Sequence, residues 1–251
     1  MSDLFYLSEE QFKRIKKYFP YPHGKPRVDD LLIISGIIHV LKRGLQWRDA
    51  PQEYGIPKTL YNRFVRWSKM GVFDKIFSAL VEDGGTPDQL MIDATHLKAH
   101  RTAASLLKKG LFPRAIGRTK GGLNSKLHAV TDGNGRPVLL ELTAGNISDY
   151  DGARSMVEKL PQARELLADR GYDADWFRDA LKNMGITPCI PPKKNRTIQH
   201  SYDKTLYRQR HKIENMFAKL KDWRRIAMRY DRCAHTFKAA ITLASIVIWW
   251  I

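Results

Sequence analysis

Leu90-Met91-Ile92-Asp93-Ala94 is a short apolar run carrying a single carboxylate, and the pattern that follows it decides the fold. It comes directly after the turn-rich stretch Glu82-Asp83-Gly84-Gly85-Thr86-Pro87, so it reads as a short buried strand. Residues 126–131 and 137–142 then flank Asp132-Gly133-Asn134-Gly135, whose turn chemistry predicts a β-hairpin. A helix over 153–159, the strand Glu165-Leu166-Leu167-Ala168-Asp169, a helix over 175–184, a strand over 186–190 closed by Pro191-Pro192, and one long helix over about 203–222 complete the pattern. The order β-β-β-α-β-α-β-α predicts a mixed sheet flanked by helices over 86–251.

Upstream of the turn-rich break, residues 8–83 carry helical periodicity. Leu31, Ile34, Ile37, Ile38 and Leu41 share one helix face, and Gly44 after Lys42-Arg43 is a helix stop. In the next helix, 57–70, Leu60, Phe64 and Trp67 form the buried side, while Lys58, Asn62, Arg63, Arg66 and Lys69 form the other. Short helices with a basic, Asn-bearing member resemble a helix-turn-helix, whose recognition helix reads base edges with Arg and Asn. A solvated helix face is the plainer reading of the same charges. The expectation is an all-α, helix-turn-helix-like DNA-binding domain over 1–85, with Lys58, Asn62, Arg63 and Arg66 as candidate contacts.

The 251 residues carry 43 Lys and Arg against 26 Asp and Glu, a net charge of +17. A surface so charged repels itself unless a polyanion neutralises it, which makes nucleic acid the leading partner class and an anionic membrane surface the second. Between Asp93 and Asp132 there is no acidic residue, while Lys98, Arg101, Lys108, Lys109, Arg114, Arg118, Lys120 and Lys126 all fall there. With Gly117, Gly121 and Gly122 it reads as a flexible basic excursion that grips phosphates. Cys189 and Cys233 form no metal-ligand or disulfide pattern. Neither a secretion leader nor a membrane span is expected: the longest apolar stretch, 239–251, is short of the roughly 20 residues a span needs. A cytoplasmic, nucleoid-associated protein is expected.

Against this basic background the isolated carboxylates stand out. Asp93 and Asp169 sit at the ends of apolar runs, and Glu214 lies in Tyr207, Arg210, Glu214 and Lys221, spaced Y-x2-R-x3-E-x6-K. Phosphodiester transfer needs an activated attacking oxygen and relief of charge on phosphorus and the leaving oxygen. Paired Mg²⁺ ions held by a few carboxylates supply both. On a continuous helix, Tyr207, Arg210 and Lys221 lie within about 40° of Glu214, on one stripe. Taken singly, Asp169 reads equally as a turn residue, Asp173 as the cap of the helix that follows, and His96 and His128 as hydrogen-bonded structural histidines.

Together these segments resemble bacterial insertion-sequence transposases of the D-D-E type. The residues that carry the likeness are Ile92-Asp93-Ala94-Thr95-His96, Gly117-Arg118-Thr119-Lys120-Gly121-Gly122, Ala168-Asp169-Arg170-Gly171-Tyr172-Asp173, the Y-R-E-K helix, and the tail segment from Trp223 to Asp231. Trp47-Arg48-Asp49 and Tyr61-Asn62-Arg63-Phe64 extend it into the helical region. The resemblance implies an RNase H-like core in which Asp93, Asp169 and Glu214 ligate two Mg²⁺ ions, with Mn²⁺ as a substitute. It implies that Tyr207, Arg210 and Lys221 contact the transposon end, with Arg118 and Lys120 as further DNA contacts. It also implies end cleavage, joining of the freed 3′-OH to target DNA, and end pairing within a homodimer or larger homo-oligomer. Rival readings are a domesticated DNA-binding protein without catalysis and a structure-selective nuclease of the same fold.

Overall fold

The computed structural model describes residues 4–21, 28–105 and 114–251. Local sequence sets the first helices. In α1 (Glu9–Ile15), Ser8 and Gln11 form a reciprocal capping box, with Gln11 N–H donating to Ser8 Oγ at 3.1 Å and Ser8 N–H to Gln11 Oε1 at 3.0 Å. Asp29 caps α2 (Asp30–Arg43), which ends at left-handed Gly44. Pro57 opens α3 (Pro57–Lys69), and Gly71, also left-handed, separates it from α4 (Val72–Asp83). The predicted apolar faces are the buried ones: Ile34, Ile37, Ile38, Leu41, Leu60, Phe64 and Trp67 are all fully enclosed.

Strand β1 (Gln89–Ala99) is the axis of the sheet. It is longer than the apolar run, so Asp93 stands mid-strand rather than at its end. One edge of β1 pairs antiparallel with β3 (Gly122–Asp132), from Leu90 opposite Asp132 to Lys98 opposite Asn124. The other edge pairs parallel first with β5 (Glu165–Ala168) and then, after β5 has ended, with β7 (Met228–Arg229). On the far side of β3 lie β4 (Pro137–Ala144) and the short β2 (Gly117–Thr119); β6 (Thr187–Cys189) continues parallel beyond β5. The predicted hairpin forms, with the Asp132 carboxylate accepting from Asn134 N–H, Arg136 N–H and Arg136 Nε. Three antiparallel strands followed by two parallel ones, with helices on both faces, form the RNase H-like mixed α/β sheet that was expected.

Alternation along β1 divides the core. Leu90 and Ile92 face α6 (Asp149–Met156) and α7 (Asp175–Asn183), with Met156, Phe177 and Leu181. Met91 and Leu97 face the opposite side, which is covered by α9 (His211–Lys221) and α11 (Ala234–Ser245). Helix α11 packs at once on α2, α3, α4 and β4, so the N-terminal helices and this face of the sheet share one continuous core.

Three local expectations change. The helix over 203–222 is interrupted: α8 (Lys204–Tyr207) passes through a 3₁₀ turn, Arg208–Arg210, before α9. The segment has neither Gly nor Pro, so propensity would continue the α-helix. The tighter turn coincides with the long-range contacts of Arg210, which local sequence does not carry. The described residues of the basic excursion include the short helix α5 (Arg101–Ala104) and the β2–β3 hairpin; Lys108 and Lys109 lie outside the described residues. Lys126 within it is buried, donating to Ile147 C=O at 3.1 Å and pairing with Asp149 at 2.7 Å, so it is not a phosphate contact. Asp173 does not cap α7, whose first turn follows Ala174; it is buried instead against Arg178 at 2.7 Å and Arg196 at 3.0 Å.

Burial alone would raise the Asp173 pKa, but the Lys193 N–H and the two guanidinium groups outweigh it and hold the carboxyl below its ordinary value. A depressed folded pKa means that the stabilisation is present above the unfolded carboxylate range and is lost as pH falls through the folded value. Asp173→Asn should therefore cost about 3–5 kcal/mol at pH 7, because it strands buried Arg178. In denaturant titrations the gap from wild type should close in acid; a gap independent of pH would refute the ion-pair account.

Candidate active site

Asp93 belongs to the odd-numbered face of β1, with Met91, Thr95 and Leu97, and this is the face that α9 covers. The last β1–β5 pair is Ile92 with Ala168, so one residue further along two neighbouring parallel strands come Asp93 and Asp169. Asp169 lies just past β5 on the face of Leu167, the same side as Asp93. Asp169 is a turn residue, its Oδ1 accepting from Gly171 N–H at 2.7 Å, and its charge acts on Asp93.

Helix α9 brings the remaining groups. Ile213, Met216, Phe217 and Leu220 are buried against the sheet, which leaves the adjoining stripe at its margin. Arg210 bridges two of the three acids, with Nη1 donating to Asp93 Oδ2 at 2.8 Å and Nη2 to Glu214 Oε1 at 2.5 Å. Lys221 Nζ donates to Thr95 Oγ1 at 2.7 Å, two residues along the strand from Asp93. Tyr207 lies near enough to Arg210 for the guanidinium to lower its pKa against the larger effect of burial, and it stacks edge-on with Tyr202, ring centroids 5.5 Å apart. Despite the 3₁₀ turn, Tyr207, Arg210, Glu214 and Lys221 thus meet the Asp93 face of the sheet. Lys212, on another side of the helix, ties α9 to the β3–β4 hairpin through Gly133 C=O at 2.7 Å.

The electrostatics follow from this crowding. Burial raises the Asp93 pKa, as does Asp169; the Ala94 N–H, which donates to Oδ1 at 2.8 Å, and Arg210 oppose the shift without cancelling it. Burial lowers the pKa of Lys221 and raises that of Tyr207. The Tyr172 hydroxyl, pushed upward by burial and by Asp149, Asp93 and Asp169, has no hydrogen-bond partner. Thr95 is a neighbour of the acids that its spacing in the sequence does not mark; the alternation of β1 places it on the Asp93 face, where Lys221 reaches it.

The donors are all hard carboxylate oxygens, which suits a divalent cation of the Mg²⁺ type. Among the described residues no group of three or more His, Cys, Asp or Glu side chains is gathered into a metal site; Arg210 stands between Asp93 and Glu214. Asp93 and Asp169 fit such an ion as adjacent ligands, with Glu214 one helical side chain away.

The other candidate residues lie elsewhere. Lys58, Asn62 and Arg66 are exposed on α3, and Arg118 and Lys120 are exposed at the β2–β3 hairpin. Arg63 is largely buried, paired with Asp30 at 2.5 Å and set over the Trp67 ring, so it holds α3 to α2 instead of facing solvent. His96 Nε2 bonds to Gly145 C=O at 3.0 Å, and His128 Nε2 to Thr143 Oγ1 at 2.9 Å. Burial lowers the His128 pKa to about 4, and the ring is a neutral structural element at physiological pH.

The fold is a mixed sheet with helices on both faces, and its acidic residues gather beside the strand at its centre. Residues 84–249 match the Transposase DDE domain family, and the chain belongs to that family. Residues 7–77 match a second model, described as "Putative transposase of IS4/5 family". The chain is 36% identical over 128 residues to a Brucella ovis protein named "Putative transposase for insertion sequence element IS6501", covering 51% of this chain and 98% of that protein. It is 34% identical over 156 residues to a Burkholderia cepacia protein named for insertion sequence element IS402, covering 55% and 72%. Among solved structures, the piggyBac transposase synaptic complex with hairpin DNA aligns with TM-score 0.49 and 10% identity over 98% of this chain and 73% of that chain. The Mos1 transposase paired-end complex aligns with TM-score 0.26 and 13% identity over 86% of each. No helix among the described residues is long and apolar enough to cross a membrane.

A carboxyl whose folded pKa is raised contributes most at low pH, and that contribution is lost as pH rises through the folded value, so charged Asp93 is a net cost at pH 7. Asp93→Asn should melt at or above the wild-type temperature. A fall of about 2–4 °C, which corresponds to about 1 kcal/mol in a chain of this size, would show that the Arg210 pair outweighs burial.

Proposed function

We propose that this transposase cuts DNA at the ends of its insertion sequence and joins the freed 3′-OH to target DNA, with Asp93, Asp169 and Glu214 as the catalytic acids. The observation that carries the reading is the convergence of these carboxylates with Arg210 and Lys221 on one face of β1. Asp93 and Asp169 would hold divalent metal, Mg²⁺ with Mn²⁺ as a substitute, and Glu214 would complete the ligand set. Such ions supply charge neutralisation at phosphorus and activation of the attacking oxygen.

The protein's own groups position the DNA. Arg210 and Lys221 are paired with a carboxylate pair and a hydroxyl respectively, partners that a phosphate can replace, and Arg is suited to bidentate contact with phosphate oxygens. An incoming phosphate that drew Arg210 away would leave Asp93 and Glu214 facing Asp169 without their counter-charge, which favours cation uptake. Tyr207, beside Arg210, is placed to touch sugar or base. Residues 86–251 form the catalytic part in this reading. Residues 1–85 form a helix-turn-helix-like DNA-binding part whose α3 presents Lys58, Asn62 and Arg66, with Arg118 and Lys120 as phosphate contacts on the sheet. The ends are held together by a homodimer or larger homo-oligomer.

The test is Mg²⁺-dependent cleavage and joining on a duplex carrying the DNA that flanks the gene. Asp93→Ala, Asp169→Ala and Glu214→Ala should each lower the cleavage rate at least roughly 100-fold, since several kcal/mol of charge stabilisation is at stake, while leaving DNA binding in place. Near-wild-type cleavage by any one of them removes that residue from the site. Cleavage without joining would replace the transposase reading with that of a nuclease.

A further inference from the structure

Two segments whose sequence stands out, Trp47-Arg48-Asp49 and the stretch ending at Tyr230, play no part in the site above. The fold brings them together around a cavity of about 550 Å³, within the roughly 300–1,000 Å³ range of ligand pockets. Its walls come from the loop after α2, the chain just beyond β1 at His100 and Thr102, and Arg225 of α10 (Arg224–Ala227) with Tyr230 after β7.

We propose that this cavity receives an unstacked nucleobase of DNA, a site separate from the acidic centre; the inference rests on the reading of DNA as the partner. Flat π-surfaces bound it. The His100 and Tyr230 rings lie 4.7 Å apart and tilted by 36°, and the Arg225 guanidinium sits 5.4 Å from the Trp47 ring and 5.8 Å from the Tyr230 ring. Tyr230 is 39% exposed, unusual here for an aromatic residue, most of which are packed away. Arg225 is only 6% exposed and is fixed by Leu45 C=O at 2.8 Å and Asp231 at 3.2 Å. A guanidinium held rigidly beside aromatic rings offers a planar ligand a preformed stacking surface.

Charge separates a nucleobase from other planar or apolar ligands. No carboxylate lines the cavity, and Arg225 already fills the cationic position between the rings, so a cation is disfavoured. Around it Arg48, Arg101 and Arg232 are exposed, and Arg48 has only a 3.6 Å pairing with exposed Asp49. These cations suit the phosphates on either side of an unstacked base, whose face stacks on an aromatic ring as in single-strand binding sites. His100 lies seven residues along β1 from Asp93, about 23 Å, or about seven nucleotide steps of DNA. One strand passing the acids reaches the cavity.

Fluorescence anisotropy with the full chain tests this, comparing a labelled twelve-nucleotide oligothymidylate with an abasic oligomer of the same length and charge. Wild type should bind the base-bearing oligomer about 5- to 100-fold more tightly, the worth of one base stacked on an aromatic ring. Tyr230→Ala should lose that preference while binding the abasic oligomer as before, and Tyr230→Phe should keep it, because the ring and not the hydroxyl makes the contact. Tyr230 is the position to change because Trp47 packs on Tyr61 and Phe64 and its loss disturbs the fold. Equal binding of the two oligomers by wild type, or a preference in a folded Tyr230→Ala within twofold of wild type, overturns the cavity assignment alone. Binding of neither oligomer overturns the DNA reading and the cavity together.

Discussion

The parallel pairing of β1 with β5 is the constraint on which the site depends. Strands in a sheet lie about 4.8 Å apart, and the register of Ile92 with Ala168 brings Asp93 and Asp169 forward at the same level of two neighbouring strands. A slip of one residue would turn Asp93 to the α6–α7 side, among Leu90, Ile92 and Phe177, where a carboxylate has no partner. The alternation of core residues on the two faces therefore protects the placement of Asp93 as well as the core.

Two like charges held this close in a partly buried setting need a counter-charge, and Arg210 supplies it from across the core. The structure accepts an electrostatic cost at Asp93 and offsets it with one guanidinium that reaches both Asp93 and Glu214. Elsewhere buried charge is treated differently. Arg229 is fully enclosed, but its donors are spread over Arg114, Ala115, Asp231 and Arg232 carbonyls and the Ser125 hydroxyl, so it locks the tail onto β3. Asp173 is likewise saturated, by Arg178, Arg196 and the Lys193 amide. Satisfied networks of this kind are rigid, whereas Arg210 is shared between two carboxylates, Asp93 and Glu214.

Helix α11 links the two sequence regions physically. By packing on α2, α3, α4 and β4 it makes the N-terminal helices part of the same core as the sheet, and the Arg225–Leu45 hydrogen bond fastens the loop after α2 to the chain after α9. The helical region is therefore oriented relative to the acids by apolar packing, which does not depend on salt as surface ion pairs do.

Much of this was legible in the chain. Periodicities of 3.6 and 2, the Asp132–Gly135 turn and the caps at Ser8, Asp29 and Gly44 are local, so they determine helices, strands and their faces without help from distant residues. The Y-R-E-K spacing likewise puts Glu214 and Lys221 on one stripe of α9, because helix geometry is fixed. What the sequence could not settle depends on contacts between distant residues. That Asp93 stands mid-strand was decided by β3, which pairs with β1 as far as Lys98; the break at Arg208–Arg210 coincides with the reach of Arg210 to Asp93. Arg63 and Lys126 read as surface cations until Asp30 and Asp149 met them. Local sequence fixes backbone shape because its hydrogen bonds and rotamers are short-range. Burial and charge pairing are properties of the assembled surface, so the tertiary structure alone assigned each ionisable side chain to the core, the site or solvent.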